Sequence, residues 1–105
     1  GGTINHCTND SIRCEQTGLQ DFSLNNILLY SGKINLYRAR GVVFNGGSLG
    51  TSVIINEQGA TRCFFKNMLF QSLPTINRNV NGEASSVIYE GIVVPNGTNI
   101  NFFKI

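Results

Sequence analysis

F-F-K-N-M-L-F at 64–70 is a short alternating run, then Asn67, then three apolar residues, and the chain repeats this pattern. It returns as S-L-N-N-I-L-L at 23–29, R-A-R-G-V-V-F at 38–44 and I-Y-E-G-I-V-V at 88–94. Aligned on the central Asn or Gly (Asn26, Gly41, Asn67, Gly91), the copies give four columns that are apolar throughout. These are Phe22/Tyr37/Cys63/Val87, Leu24/Ala39/Phe65/Tyr89, Ile27/Val42/Met68/Ile92 and Leu29/Phe44/Phe70/Val94. A strand alternates its side chains with period two, so matched columns describe strands stacked like on like. The central residue breaks that alternation, because the apolar positions flanking it lie three apart. A residue bent into the left-handed region does this, and Gly and Asn reach that region at least cost. Asn26, Gly41, Asn67 and Gly91 are therefore the expected structural corners of a solenoid.

Strand, Asn-cornered turn and strand, with inward Phe, Ile, Val and Leu over 22–94, resembles the right-handed parallel β-helix of pectate lyases and phage tailspikes. The pattern identifies an architecture better than an activity. The spacing is uneven: Asn26 to Gly41 is 15 residues, Gly41 to Asn67 is 26 and Asn67 to Gly91 is 24. The last two suit a full coil. Either the first coil is cut down, or the first two copies lie within one coil. The competing architecture is an antiparallel sandwich whose strands happen to align.

Composition agrees with an all-β solenoid. The chain has 105 residues and a mass of 11.5 kDa, enough for one domain with one core. Charged residues are 13%, well below the roughly 25% usual for soluble domains. Asn is the commonest residue and there is no Trp. No segment has helical periodicity, and Ala/Leu/Glu/Lys-rich material is scarce. A net charge of +2 without a Lys/Arg cluster argues against nucleic-acid binding. No apolar run approaches the roughly 20 residues needed to span a bilayer, so no membrane insertion is expected. The Gly-Gly-Thr start carries neither a signal-peptide pattern nor an initiating Met, and reads as an excised or processed fragment.

In chain order, residues 1–18 read as an irregular N-terminal segment with one short strand near 11–15, and 19–94 as the solenoid coils. Ser31-Gly32 reads as a turn, 34–44 as the next strand, Asn45-Gly46-Gly47 as a loop with positive φ, and 51–56 as a strand closing the coil. Residues 71–84, with Pro74, read as a surface excursion. Residues 95–105 are a terminal turn and a strand carrying Phe102, Phe103 and Ile105, placed to cap the open end. His6, Cys7 and Cys14 leave open a zinc site, a Cys7–Cys14 disulfide or free thiols. No paired C-x-x-C supports zinc, and reduced thiols, with Cys63 filling core, are the expected state. No metal or other cofactor is expected.

The column Leu28/Val43/Leu69/Val93 lies between inward positions and faces out. Either another segment of the chain covers it, or it is the seam of a parallel homotrimer. Trimeric assembly is what the resemblance to tailspikes and tail fibres implies. Arg38 and Arg40, beside Lys66 and Glu90, then form another outer strip, solvated or facing a ligand. The six carboxylates are scattered, with no cluster for glycoside hydrolysis or for calcium-assisted elimination. Glu57, Glu90 and Arg40 are the weak catalytic candidates, against the plainer reading that all three solvate the surface. The resemblance implies a structural and receptor-binding part of a phage tailspike or tail fibre, located in the virion tail and made in the host cytoplasm. Its partner would be a bacterial surface glycan. The alternative is a portion of a polysaccharide-degrading β-helix enzyme.

Overall fold

The computed structural model describes residues 2–4, 10–13, 23–78, 80–94 and 99–103; for 2–4, 10, 11, 13, 80 and 99–103 it describes the backbone alone. His6, Cys7, Cys14 and Phe22 lie outside the described residues. The strands are β1 (Gly2–Ile4), β2 (Asp10–Arg13), β3 (Ser23–Asn35), β4 (Val43–Asn56), β5 (Cys63–Lys66), β6 (Leu69–Phe70), β7 (Thr75–Asn77), β8 (Val87–Val93) and β9 (Asn99–Phe103). A single 3-10 turn, Val80–Gly82, is the helical content among the described residues.

The pairing is parallel and advances one coil at a time. Ser23 stacks on Val43, Val43 on Phe64 and Phe64 on Ile88, so successive coils take 20, 21 and 24 residues. Beyond the bend, β6 pairs with Ser48 and Leu49, and Leu69 pairs with Val93. On the third side, β7 pairs with Ile54, Ile55 and Asn56, which lie on Lys33, Ile34 and Asn35. The result is an all-β parallel solenoid of about three turns. The competing antiparallel sandwich does not form. β1 and β2 also pair in parallel with β3, so the segment read as irregular contributes two strands. β9 pairs antiparallel with β8, Ile88 opposite Phe103 and Val93 opposite Asn99.

The register corrects the second motif copy. Leu24, Phe44, Phe65 and Tyr89 share a column, and the corner beside it is Asn26, Gly46, Asn67 and Gly91. All four take positive φ: 56°, 78°, 55° and 66°. Gly41 (φ 68°) is a corner too, but belongs to a different bend, level with Arg62 (φ 54°), and its N–H donates to the Thr61 carbonyl at 3.0 Å. The first two copies thus lie within one coil. Ser31-Gly32 does not end a strand either. β3 continues through Gly32 (φ 124°), with a register shift between Leu29 and Ser31. Residues 34–44 hold a strand end, a turn and the Arg40–Thr61 bridge rather than one strand, and 71–84 contains β7.

The core follows from the stacking. Coils lie about 4.8 Å apart, close to the separation at which aromatic rings pack face to face or offset. Phe44 and Phe65 stack with centroids 4.6 Å apart, and Phe65 and Tyr89 at 4.8 Å, with planes within 5°. Phe70 meets Tyr89 edge-on at 6.4 Å. Leu29, Leu49, Ile34, Ile55, Met68 and Ile92 complete a continuous buried cluster. Leu24 and Ile27, expected inside, are partly buried against it. At the corner after the third side, Asn35, Asn56 and Asn77 stack in register, and the Asn56 amide donates to Asn35 Oδ1 at 3.0 Å. Asn35 Oδ1 accepts from the Tyr37 N–H at 3.1 Å and Asn56 Oδ1 from the Gln58 N–H at 3.3 Å. These side chains mimic backbone acceptors and shape the turns that follow.

Candidate functional site

Those two Asn-led turns carry a group of charged side chains. Arg38 (φ 53°) and Gly59 (φ 67°) occupy equivalent places in successive coils, the Arg38 N–H donating to the Gln58 carbonyl at 2.8 Å. Arg40 bridges to Thr61, with Arg62 next to it. Glu83 reaches this corner from the loop after β7. Its Oε1 accepts from Arg38 Nε at 2.6 Å and its Oε2 from the Gln58 side-chain amide at 2.5 Å. Arg38, Arg40, Gly59, Thr61, Arg62 and Glu83 line a shallow cleft of about 300 Å³. The hydrogen bond to Glu83 raises the Arg38 pKa, and the hydrogen bonds from Arg38 and then Gln58 lower that of Glu83. The Arg38 guanidinium also lies 4.8 Å from the centroid of the Tyr37 ring.

The three catalytic candidates do not meet. Arg40 lies in this cleft. Glu90 is exposed on β8 and stands 3.6 Å from Lys66, its neighbour in register. Glu57 is fully buried, not solvated, because it continues the inward alternation Val53, Ile55, Glu57. Its Oε2 accepts from the Tyr89 hydroxyl at 2.5 Å and its Oε1 from Ser85 Oγ at 2.9 Å, with Arg78 Nε 3.3 Å from Oε1. The carboxylate thus has two hydroxyl donors and one cation beside it, the compensation that a buried charge requires. Burial, and then the Glu57 charge, push the Tyr89 pKa well above its ordinary value. Arg38 and Arg40 do not share a strip with Lys66 and Glu90 but group with Arg62 and Glu83.

The outward column is also re-sorted. Leu28, Ser48, Leu69 and Val93 share it, whereas Val43 aligns with Ser23, Phe64 and Ile88 on the neighbouring face. Leu28, Leu69 and Val93 are 37%, 37% and 38% exposed. Cys63 is buried and unpaired, its thiol donating weakly to the Thr61 carbonyl at 3.4 Å, and burial raises its pKa. Among the described residues no group of three His, Cys, Asp or Glu is placed to hold a metal, and no helix is long and apolar enough to cross a membrane. Comparison with protein families, with curated proteins and with solved structures returned no match.

Proposed function

We propose that this chain is a structural and receptor-binding part of a phage tailspike or tail fibre, recognising a bacterial cell-surface polysaccharide as a parallel homotrimer. The observation that carries this reading is an apolar stripe on the outside of a parallel solenoid. Leu28, Leu69 and Val93 stack along the axis from the first coil to the last, broken only by Ser48. A stripe parallel to the axis lets identical copies align side by side and remove it from water. β9, antiparallel along the free edge of β8, supports the companion proposal that the terminal strand caps that end. Sedimentation of the whole chain is the test. A trimer at micromolar concentration supports the reading, and an 11.5 kDa monomer removes it.

The polysaccharide-degrading alternative needs two carboxylates that substrate can reach. Glu57 is enclosed and Glu90 pairs with Lys66, so neither supplies that pair. Product release from capsular polysaccharide by the purified chain would restore the enzyme reading.

A further inference from the structure

Three asparagines precede a glycine, at Asn45-Gly46, Asn81-Gly82 and Asn96-Gly97, and Asn96 lies outside the described residues. We infer that Asn81 is a spontaneous modification site, at which the folded chain exchanges an amide for a carboxylate, and that Asn45 is protected. The inference is independent of the tail-fibre reading above.

The chemistry needs only these two residues and water. The backbone nitrogen of Gly82 attacks Cγ of Asn81. A new N–Cγ bond forms, the Cγ–Nδ2 bond breaks, and the side-chain nitrogen leaves as ammonia with the proton of the Gly82 amide. The product is a cyclic imide. Water then adds to one of the two imide carbonyl carbons and breaks its bond to nitrogen. Aspartate results or, with the backbone rerouted through the side chain, isoaspartate. Nothing is oxidised or reduced. A following glycine favours the attack, because it has no Cβ to hinder the approach of its nitrogen.

Backbone freedom decides between the two described sites. Both asparagines are exposed, so access of water does not distinguish them. Asn81 stands at φ 53° and ψ 34° in the 3-10 turn Val80–Gly82, and Gly82 follows at φ 76°. Ring closure requires rotation about the Asn81 ψ, and little packing opposes it. Asn81, Gly82 and Ala84 are exposed, and a Cβ on Gly82 would meet nothing within 4 Å. A single 3-10 turn is held by few hydrogen bonds of poor geometry, so it opens at low cost. Asn45, by contrast, is held on both sides in β4, paired with Asn25 and with Lys66. Its Oδ1 accepts from Asn67 Nδ2 at 3.4 Å, and a Cβ on Gly46 would lie 2.4 Å from Asn26 Oδ1. The same rotation there would break the ladder between adjacent coils.

The product falls between two anchors of the loop. On one side Arg78 Nε stands 3.3 Å from the Glu57 carboxylate, and on the other Glu83 is held by Arg38 and Gln58. Isoaspartate lengthens the backbone between these anchors, and either product sets a new carboxylate close in sequence to Glu83.

The test is to incubate the full-length folded chain at mildly alkaline pH and digest samples with a glutamate-specific protease. Cuts after Glu15, Glu57, Glu83 and Glu90 put Asn45 in peptide 16–57, Asn81 in 58–83 and Asn96 in 91–105. Mass spectrometry is expected to show the amide-to-acid gain in 58–83, with 16–57 at least about tenfold slower because the ladder must open first. In urea the two peptides should react at comparable rates. Asn81→Gln keeps an amide but would need a larger ring, and should abolish the gain in 58–83 with the melting temperature unchanged. No gain in 58–83, a gain that survives Asn81→Gln, or an equal rate in 16–57 of the folded chain each overturns the inference. A difference that persists in urea overturns it too, because neighbouring sequence rather than backbone freedom would then be the cause.

Discussion

The hydroxyl of Tyr89 donates to Glu57 Oε2 at 2.5 Å in the solenoid interior, joining residues 32 apart in sequence. The same ring ends the Phe44–Phe65–Tyr89 stack, so one side chain closes an apolar column and donates a hydrogen bond to a buried carboxylate. Tyr89→Phe keeps the stack and removes the donor. It is expected to cost about 1–3 kcal/mol, the range for leaving a buried acceptor short of a partner. Urea unfolding measures it, and a cycle with Glu57→Gln isolates the pair. A loss below about 0.5 kcal/mol would mean that Ser85 and Arg78 satisfy Glu57 without Tyr89.

Stability should fall on the alkaline side. The folded chain holds the Tyr89 proton at pH values where the unfolded chain, titrating near 10, has released it. A group whose folded pKa is raised stabilises fully below its unfolded pKa and ceases to do so as pH climbs towards the folded one. Cys63, raised from 9.0, acts in the same direction from a lower pH. Urea midpoints should therefore decline above pH 9, and the decline should be shallower in Tyr89→Phe. A flat profile would show that Tyr89 is not buried as described.

Phe65→Ala empties the centre of the aromatic stack. Phe65 is fully buried between Phe44 and Tyr89, and its deletion should cost about 3–5 kcal/mol in urea unfolding. A cost below about 1 kcal/mol would place the ring at the surface.

The close approach of coils can be probed at two glycines. A Cβ on Gly50 would lie 1.9 Å from the Tyr30 carbonyl oxygen, and one on Gly91 would lie 2.6 Å from Asn67 Oδ1 at φ 66°. Gly50→Ala and Gly91→Val should each cost more than about 2 kcal/mol, whereas Asn67→Gly, at φ 55°, should be nearly neutral. Thermal melts of the three variants give the order, and equal tolerance would contradict the register.

Leu69→Asp places a carboxylate in the middle of the outward stripe. In the proposed trimer three such groups meet in a dry seam, so the variant should sediment as monomer while retaining its β-sheet circular dichroism. A trimeric Leu69→Asp would move the seam to another face.

The parallel stacking was legible because three of the four motif copies, at 23–29, 64–70 and 88–94, keep apolar residues at every inward place. The second coil was not, because the segment that fills those places is F-N-G-G-S-L at 44–49. Gly47 takes an inward position where an added Cβ would lie 2.2 Å from the Ile27 carbonyl oxygen, and Ser48 takes the outward position of Leu28 and Leu69. R-A-R-G-V-V-F matched the template instead, since Gly41 sits at a corner of its own, and this displaced Val43. The burial of Glu57 was legible in the alternation from Val53. The arginine cleft was not, because Arg62 and Glu83 join Arg38 and Arg40 only when coils are laid on one another.

The third coil is longer than the second by three residues, and the place where they are inserted matters. From the stacked asparagines to the buried residue that opens the next side of the coil the chain takes seven steps in the first two coils, Asn35 to Val42 and Asn56 to Cys63, but ten from Asn77 to Val87. All the additional length falls in the loop that delivers Arg78 to the interior and Glu83 to the cleft, and the pairings on either side keep their partners. Scaffold and loop are thereby separable heritable traits. A descendant could lengthen, shorten or replace that loop and inherit the stack of coils beneath it unaltered.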